Sequence, residues 1–208
     1  MQRFIHYAVR ACVSAAVCAV LAIPLASAHA AEVNGVKLPD TVNLANQELK
    51  LNGAGVRTKV IFKVYVAGLY LSGKKATAAD AIDAPGAKRM TLVLLRDVTA
   101  EEFGQSFISG ITKNSDRNER ARIVGQLQKF GELFASIPEV LKGDVLTIDW
   151  IPGSGTHIAL NGKKIAEPIP DVTFYKVFLK IWLGENPADA RLKKLLLGEV
   201  EETPRPTY

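Results

Sequence analysis

Residues 51–70 read LNGAGVRTKVIFKVYVAGLY and are the most informative stretch of the chain. Its glycines, Gly53 and Gly55, predict a tight turn, because glycine bends where a side chain would clash. The residues that follow are rich in valine, isoleucine, phenylalanine and tyrosine, which favours one long strand to about Ser72. Apolar residues occupy both faces of this strand, and that pattern is typical of a strand covered on both sides.

Arg57 lies two positions after Gly55 and places a permanent cation at the mouth of this apolar strand. A guanidinium group in such surroundings needs an anionic partner, because burying an unpaired charge is costly. The partner is either a ligand or an internal carboxylate such as Asp97 or Asp149. The choice between these alternatives decides the function.

The first 30 residues are typical of a cleaved targeting segment. Arg3 and Arg10 form its positive region, residues 11–25 are apolar, and residues 28–30 (AHA) form a small-x-small cleavage site. The apolar run is too short for a comfortable membrane span. We therefore expect cleavage after this site, no stable membrane span afterwards, and a periplasmic or secreted protein.

The remaining chain has the composition of one globular domain, expected over residues 31–198, with a flexible tail over residues 199–208. Both cysteines, Cys12 and Cys18, fall in the targeting segment, and His157 is the single histidine after it. No cluster has the spacing of metal ligands, so we expect no metal and no cofactor. The formal net charge is +5 for the full chain and +3 after loss of Arg3 and Arg10. This charge is mild and dispersed, which argues against a nucleic-acid partner.

Short motifs locate several elements. Asn34-Gly35 and Asn161-Gly162 predict two-residue hairpins, and Thr99 with Glu102 forms a capping box that begins a helix. Predicted strands and helices are grouped along the chain and do not alternate. This grouping favours an α+β fold, with an antiparallel sheet and helices packed on one face.

Two further patterns carry expectations of their own. After Asn118 a second helix is predicted, with an apolar stripe at Val124, Leu127, Gly131 and Phe134. Ser154 and His157 lie close in sequence, but the surrounding glycines favour a β-turn over a nucleophile elbow.

The chain resembles the chalcone isomerase family in several motifs together. An arginine after a GAG turn precedes a strand with the pattern K-x-x-x-x-G-x-Y, at Lys63, Gly68 and Tyr70. Residues 182–185 (WLGE) extend the likeness, and residues 150–156 and 195–198 resemble the bacterial exported members. The resemblance implies an open-faced β-sandwich with helices on one face, in agreement with the grouping of the elements.

The resemblance also assigns positions to a site. In the family's enzymes a glycine-turn arginine, a strand threonine, a helix tyrosine and asparagine, and a late threonine surround the substrate, and no cofactor is used. Arg57 matches the arginine, Tyr65 replaces the strand threonine, and Ile181 replaces the late threonine. Phe107 followed by Asn114 repeats the tyrosine–asparagine spacing; in the competing register, Phe103 and Gly110, both polar groups are lost.

Loss of the hydroxyls and retention of the cation favour binding over catalysis. Non-catalytic members of the family resemble fatty-acid binders in which the arginine holds the carboxylate. We therefore expect a small lipophilic carboxylate as the ligand, with the following binding residues: Arg57, Tyr65, Phe107, Asn114, Ile181 and Trp182. The alternatives are an isomerase or intramolecular lyase acting through Arg57, Tyr65 and Asn114, and a protein-interaction module with no pocket.

Overall fold

A computed structural model describes residues 30–135, 137 and 139–200. The predicted targeting segment and tail lie outside these residues, except for their edges at Ala30, Glu199 and Val200. The strands are β1 (Ala30–Val33), β2 (Val36–Pro39), β3 (Thr41–Leu44), β4 (Gln47–Lys59), β5 (Phe62–Leu71), β6 (Lys88–Leu94), β7 (Val98–Thr99), β8 (Glu139–Val140), β9 (Val145–Ile151), β10 (Gly155–Leu160) and β11 (Lys163–Lys164). The helices are α1 (Ala78–Asp83), α2 (Ala100–Asn114), α3 (Arg117–Ala135), α4 (Val172–Leu183) and α5 (Ala190–Leu196).

An antiparallel sheet of seven strands, in the order β11-β10-β9-β6-β5-β4-β3, forms the centre of the fold. The larger core lies between one face of this sheet and the helices. The smaller core lies on the other face, where the β1–β2 hairpin packs. Since strands and helices are segregated into layers, the predicted α+β class and the helix-covered sheet are confirmed.

The prediction of one long strand from about Arg57 to Ser72 is wrong in its connectivity. The chain reverses at Val60 and Ile61, so that β4 and β5 form an antiparallel hairpin in which Lys59 is opposite Phe62. Val60 has a φ of +60°, a conformation that ordinarily calls for glycine in a two-residue loop. Double-sided burial holds for β5 alone, since every residue from Val64 to Leu71 is buried.

The two glycines of the opening stretch do not form a turn, because both lie inside β4. A Cβ atom at Gly53 would lie 2.0 Å from the carbonyl oxygen of Leu195, and one at Gly55 would lie 2.6 Å from a methyl group of the same leucine. The glycines therefore allow α5 to pack directly on the strand, and close approach explains them better than bending.

Helix α2 begins as the capping box predicts, with the Thr99 hydroxyl accepting a hydrogen bond from the backbone N–H of Glu102 at 3.2 Å. The stripe predicted for α3 is wrong at Val124, which is exposed; the buried side chains of this helix include Ile123, Phe130 and Phe134. Both predicted Asn-Gly hairpins are confirmed, with positive φ at both residues of each loop.

Candidate functional site

Arg57 lies near the end of β4, close to the β4–β5 turn and opposite Tyr65 of β5. Cross-strand partners share a face of the sheet, so Arg57 is on the face that the helices cover. Its guanidinium carbon is 5.5 Å from the centre of the Tyr65 ring. The hairpin thus presents the cation at the rim of the larger core.

Arg57 has no anionic partner among the residues that the structure describes. Its Nε is buried and makes no hydrogen bond there. Asp149 is bound elsewhere, since its two oxygens accept hydrogen bonds from Arg89 at 2.7 and 2.6 Å. Asp97 accepts one from the backbone N–H of Lys142 at 2.7 Å. Neither carboxylate considered as an internal partner is therefore paired with Arg57.

Tyr65 is buried beneath Arg57, and its hydroxyl oxygen accepts a hydrogen bond from Trp182 Nε1 at 2.8 Å. Burial raises the pKa of Tyr65 to about 12, although the nearby Arg57 charge acts in the opposite direction. The phenol is consequently protonated near neutral pH. It can take part in hydrogen bonds but is a poor general base under those conditions.

Phe107, Ile181 and Trp182 are buried together between α2 and α4. The ring centre of Phe107 is 5.9 Å from that of Trp182 and 5.6 Å from that of Phe178. Ile181 packs against Gly110, where an added Cβ would lie 3.0 Å from it. These side chains are in mutual contact, so an acyl chain placed among them would have to separate the two helices.

Asn114 ends α2 and already bonds to the backbone through both ends of its amide. Its nitrogen donates to the carbonyl oxygens of Gly110 and Asn186 at 2.9 and 2.8 Å. Its oxygen accepts from the N–H of Asn186 at 2.8 Å. In this arrangement Asn114 ties the end of α2 to the segment 184–188.

A cleft of about 690 Å³ opens beside Arg57. We call it the Arg57 cleft; its walls are the β4–β5 hairpin, one side of α2 and the segment that Asn114 holds. Its lining includes Arg57, Lys59, Val60, Phe62, Arg96, Glu102, Gln105, Ser106, Ser109, Gly110, Lys113, Asn186, Pro187 and Ala188. Four cations and one carboxylate line it, which favours an anionic occupant.

Sequence reasoning missed Arg96, Lys113 and the hairpin tip as parts of this cleft. Arg96 follows β6, and Lys113 lies near the end of α2, so neither stands close to Arg57 in sequence. No motif marks them. The pairing of β4 with β5 and of β5 with β6 could have indicated the proximity of Arg96, but the prediction of a single strand from about Arg57 to Ser72 concealed it.

Two further observations limit the chemistry of the described residues. Nowhere in them do three or more histidine, cysteine or acidic side chains converge as a metal-binding group would. Ser154 and His157 are joined by an exposed hydrogen bond of 2.7 Å between Oγ and Nε2, next to the turn that the sequence predicted. Within these same ranges, no helix is long and apolar enough to cross a bilayer.

Comparison with known proteins agrees with this architecture. The crystal structure of a fatty-acid binding protein of Arabidopsis thaliana superposes with a TM-score of 0.62 and 18% sequence identity, over 78% of this chain and 92% of that chain. At this identity the likeness shows the fold. No protein of curated description matches the sequence. The pattern of the chalcone isomerase-like family matches residues 30–198, and the protein therefore belongs to that family.

Proposed function

We propose that this protein binds a fatty acid or a similar lipophilic carboxylate, with Arg57 as the anchor of the head group. The observation that carries the proposal is the missing partner: Arg57 is half-buried, and its Nε makes no hydrogen bond within the described part of the chain. A carboxylate supplies two acceptors in the geometry that a guanidinium group prefers. The similar Arabidopsis protein is described as fatty-acid binding, which supports the same ligand class.

The Arg57 cleft supports the placement of the head group. Lys59, Arg96 and Lys113 line it with Arg57 and raise the local concentration of anions. Val60, Phe62 and Ala188 add apolar surface beside these cations. A ligand with one charged end and one apolar end matches that combination.

Two courses are open to the acyl chain. One runs along the apolar side chains of the cleft. The other enters the contact between Phe107, Ile181 and Trp182, with Tyr65 beside the head group, and requires α2 to move away from α4. We assign to Asn114 the role of fixing the far wall of the cleft through its bonds to Asn186.

Titration calorimetry with palmitate and with hexadecanol tests the anchor. The wild type should prefer the acid, and Arg57→Met should remove that preference and weaken palmitate binding at least about tenfold, because charge-assisted bidentate bonds are lost. Lys113→Met, which removes a cation from the same cleft, should change the affinity far less. Equal palmitate affinity in the wild type and Arg57→Met would overturn the proposal.

A second variant separates the two courses of the acyl chain. Phe107→Leu shortens a side chain inside the helix contact and leaves the cleft lining intact. If the chain enters that contact, the variant should shift the preferred fatty-acid length upward. If the chain follows the cleft, the length preference should stay as in the wild type.

We also propose export of the protein, on the grounds of its N-terminal sequence. Residues 1–29 lie outside the described structure, so this inference depends on the arginines, the apolar run and the cleavage pattern. Cell fractionation followed by mass measurement of the N-terminus checks it. An intact Met1 on cytoplasmic protein would contradict it.

A further inference from the structure

We propose that the tip of the β4–β5 hairpin, residues 59–63, docks on the surface of an anionic phospholipid bilayer. The inference arises from three consecutive exposed apolar side chains that lie within a group of cations. Membrane docking goes beyond ligand binding and does not depend on it. Neither the exposed apolar side chains nor the cations around them require an occupant in the Arg57 cleft.

The tip exposes an unusual amount of apolar surface. Val60, Ile61 and Phe62 are 89%, 78% and 56% exposed. Elsewhere in the described chain, large exposed apolar side chains such as Val124 and Leu141 occur singly. Scattered apolar side chains need no explanation, but a contiguous group at the end of a projecting hairpin is typical of an interaction site.

The backbone of the tip supports a role outside folding. Val60 has a φ of +60°, where a β-branched residue is strained and glycine or asparagine is favoured. The side chain is almost wholly exposed, so packing within the fold does not offset this strain. Backbone strain that no packing interaction offsets indicates a functional constraint.

The surrounding charges select an anionic surface. Lys59 and Lys63 flank the tip in sequence, and the Arg96 guanidinium carbon is 5.2 Å from the centre of the Phe62 ring. Lys63 also donates a hydrogen bond to Asn34 Oδ1 at 2.7 Å, which holds its ammonium group beside the hairpin. Glu102 lies in the adjoining cleft as the one carboxylate of its lining.

Apolar side chains framed by lysine and arginine suit the boundary between lipid head groups and acyl chains. The apolar groups enter the acyl region, while the cations meet the phosphates of anionic lipids. Val60 and Phe62 line both the tip and the Arg57 cleft. Docking would therefore place the mouth of the cleft at head-group level, where a lipophilic carboxylate is exchanged with a membrane.

Vesicle co-sedimentation of the processed protein tests the docking. With phosphatidylcholine vesicles that contain about one third phosphatidylglycerol, we expect binding that falls at least about tenfold in Ile61→Asp. Lys59→Glu should weaken binding about fivefold or more, and vesicles of phosphatidylcholine alone should bind poorly. Val124→Asp, at a comparably exposed valine on α3, is the matched control and should bind as the wild type does.

A second measurement follows the tip directly and is insensitive to any uncleaved N-terminal segment. Tryptophan at position 61, in Ile61→Trp, should be quenched by brominated lipids in these vesicles, whereas Val124→Trp should not. Unquenched Ile61→Trp, or undiminished vesicle binding of Ile61→Asp, overturns the proposal. Self-association that Ile61→Asp abolishes, seen in sedimentation velocity without vesicle binding, identifies the tip as a protein contact and also overturns it.

Discussion

Two arginines of this sheet each lie opposite a tyrosine, but only one of them is paired with a carboxylate in the described chain. Arg89 on β6 is opposite Tyr70 and Asp149, and Arg57 on β4 is opposite Tyr65. Arg89 forms a bidentate pair with Asp149, with both side chains largely buried at 22% and 10% exposure. Arg57 has no such carboxylate in the described chain.

A cation that serves the fold has a carboxylate partner within the chain, whereas a cation that can meet a ligand has none there. Arg89 donates hydrogen bonds to Asp149, and these bonds raise the pKa of Arg89 further. Arg57 makes a cation–π contact with Tyr65, and its buried Nε has no hydrogen-bond partner in the described chain. We therefore expect removal of the first pair to change stability, and removal of the second cation to change binding.

The largest expected effect is on the Arg89 pair. Asp149→Ala should lower the free energy of unfolding by about 3 kcal/mol, because it leaves Arg89 buried without its counter-ion. Urea denaturation followed by circular dichroism measures it. Asp83→Ala, which breaks the exposed pair with Lys176, is the control and should cost less than about 1 kcal/mol. Equal losses of stability in Asp149→Ala and Asp83→Ala would contradict a structural role for the Arg89–Asp149 pair.

Lys88 is a third, buried cation: its ammonium group donates to the backbone carbonyl of Ile82 at 2.7 Å and lies 6.0 Å from the centre of the Tyr175 ring. Burial lowers its pKa from 10.5 in the unfolded chain to about 8. Between those values the folded state binds fewer protons than the unfolded state, so stability should rise with pH, by up to about 3 kcal/mol. In Lys88→Met this rise should disappear from urea titrations at successive pH values, whereas exposed Lys164→Met should retain it.

A substitution at Tyr65 tests the hydrogen bond with Trp182 that lies beneath Arg57. Tyr65→Phe should cost about 1–2 kcal/mol, because it leaves the buried Trp182 N–H without an acceptor. Its pKa of about 12 lies above the ordinary 10, so it contributes to a loss of stability from pH 10 to 12 that the variant should reduce. Thermal unfolding across this range provides the measurement. Tyr70→Phe is a control for the cost at neutral pH alone, because burial raises the pKa of Tyr70 to about 12 as well. Unchanged stability of Tyr65→Phe at neutral pH would show that the Trp182–Tyr65 hydrogen bond contributes little to the free energy of unfolding.

The smallest expected change in stability is at Arg57 itself. Arg57→Met should leave the free energy of unfolding within about 1 kcal/mol of the wild type or raise it, since no ion pair is lost. Arg89→Met, the matched change in the paired arginine, should lower it by about 3 kcal/mol, because Asp149 then remains unpaired. Denaturation midpoints of the two variants compare them directly. Similar losses in both would contradict the distinction between the arginines.

The sequence indicated those elements whose chemistry is local. Asn34-Gly35 and Asn161-Gly162 predicted their hairpins because asparagine and glycine tolerate positive φ. Thr99 and Glu102 located the start of α2 because the cap depends on residues three positions apart. The sequence leaves the partner of Arg57 as one of two alternatives, because the placement of Arg57 opposite Tyr65 depends on the hairpin.

Features that depend on distant contacts were not predictable in the same way. Val60 turns the chain without glycine, so no local signal separates β4 from β5. In the sequence alone Gly53 resembles a turn residue, because its close contact with α5 is not visible there. In α3, Val124 and Ile123 are adjacent, and the choice of buried face depends on where α2 and α4 lie.

The contact between β4 and α5 has a consequence for the order of folding. The Asn52 side chain donates to the carbonyl oxygen of Leu196 at 2.7 Å, across 144 positions of sequence. Such distant closure is slow, because the entropy of a long loop is lost before its contacts form. The strand that holds Arg57 therefore remains incomplete during synthesis until the last helix has emerged, and shortening the chain before Leu195 should leave that strand without its cover.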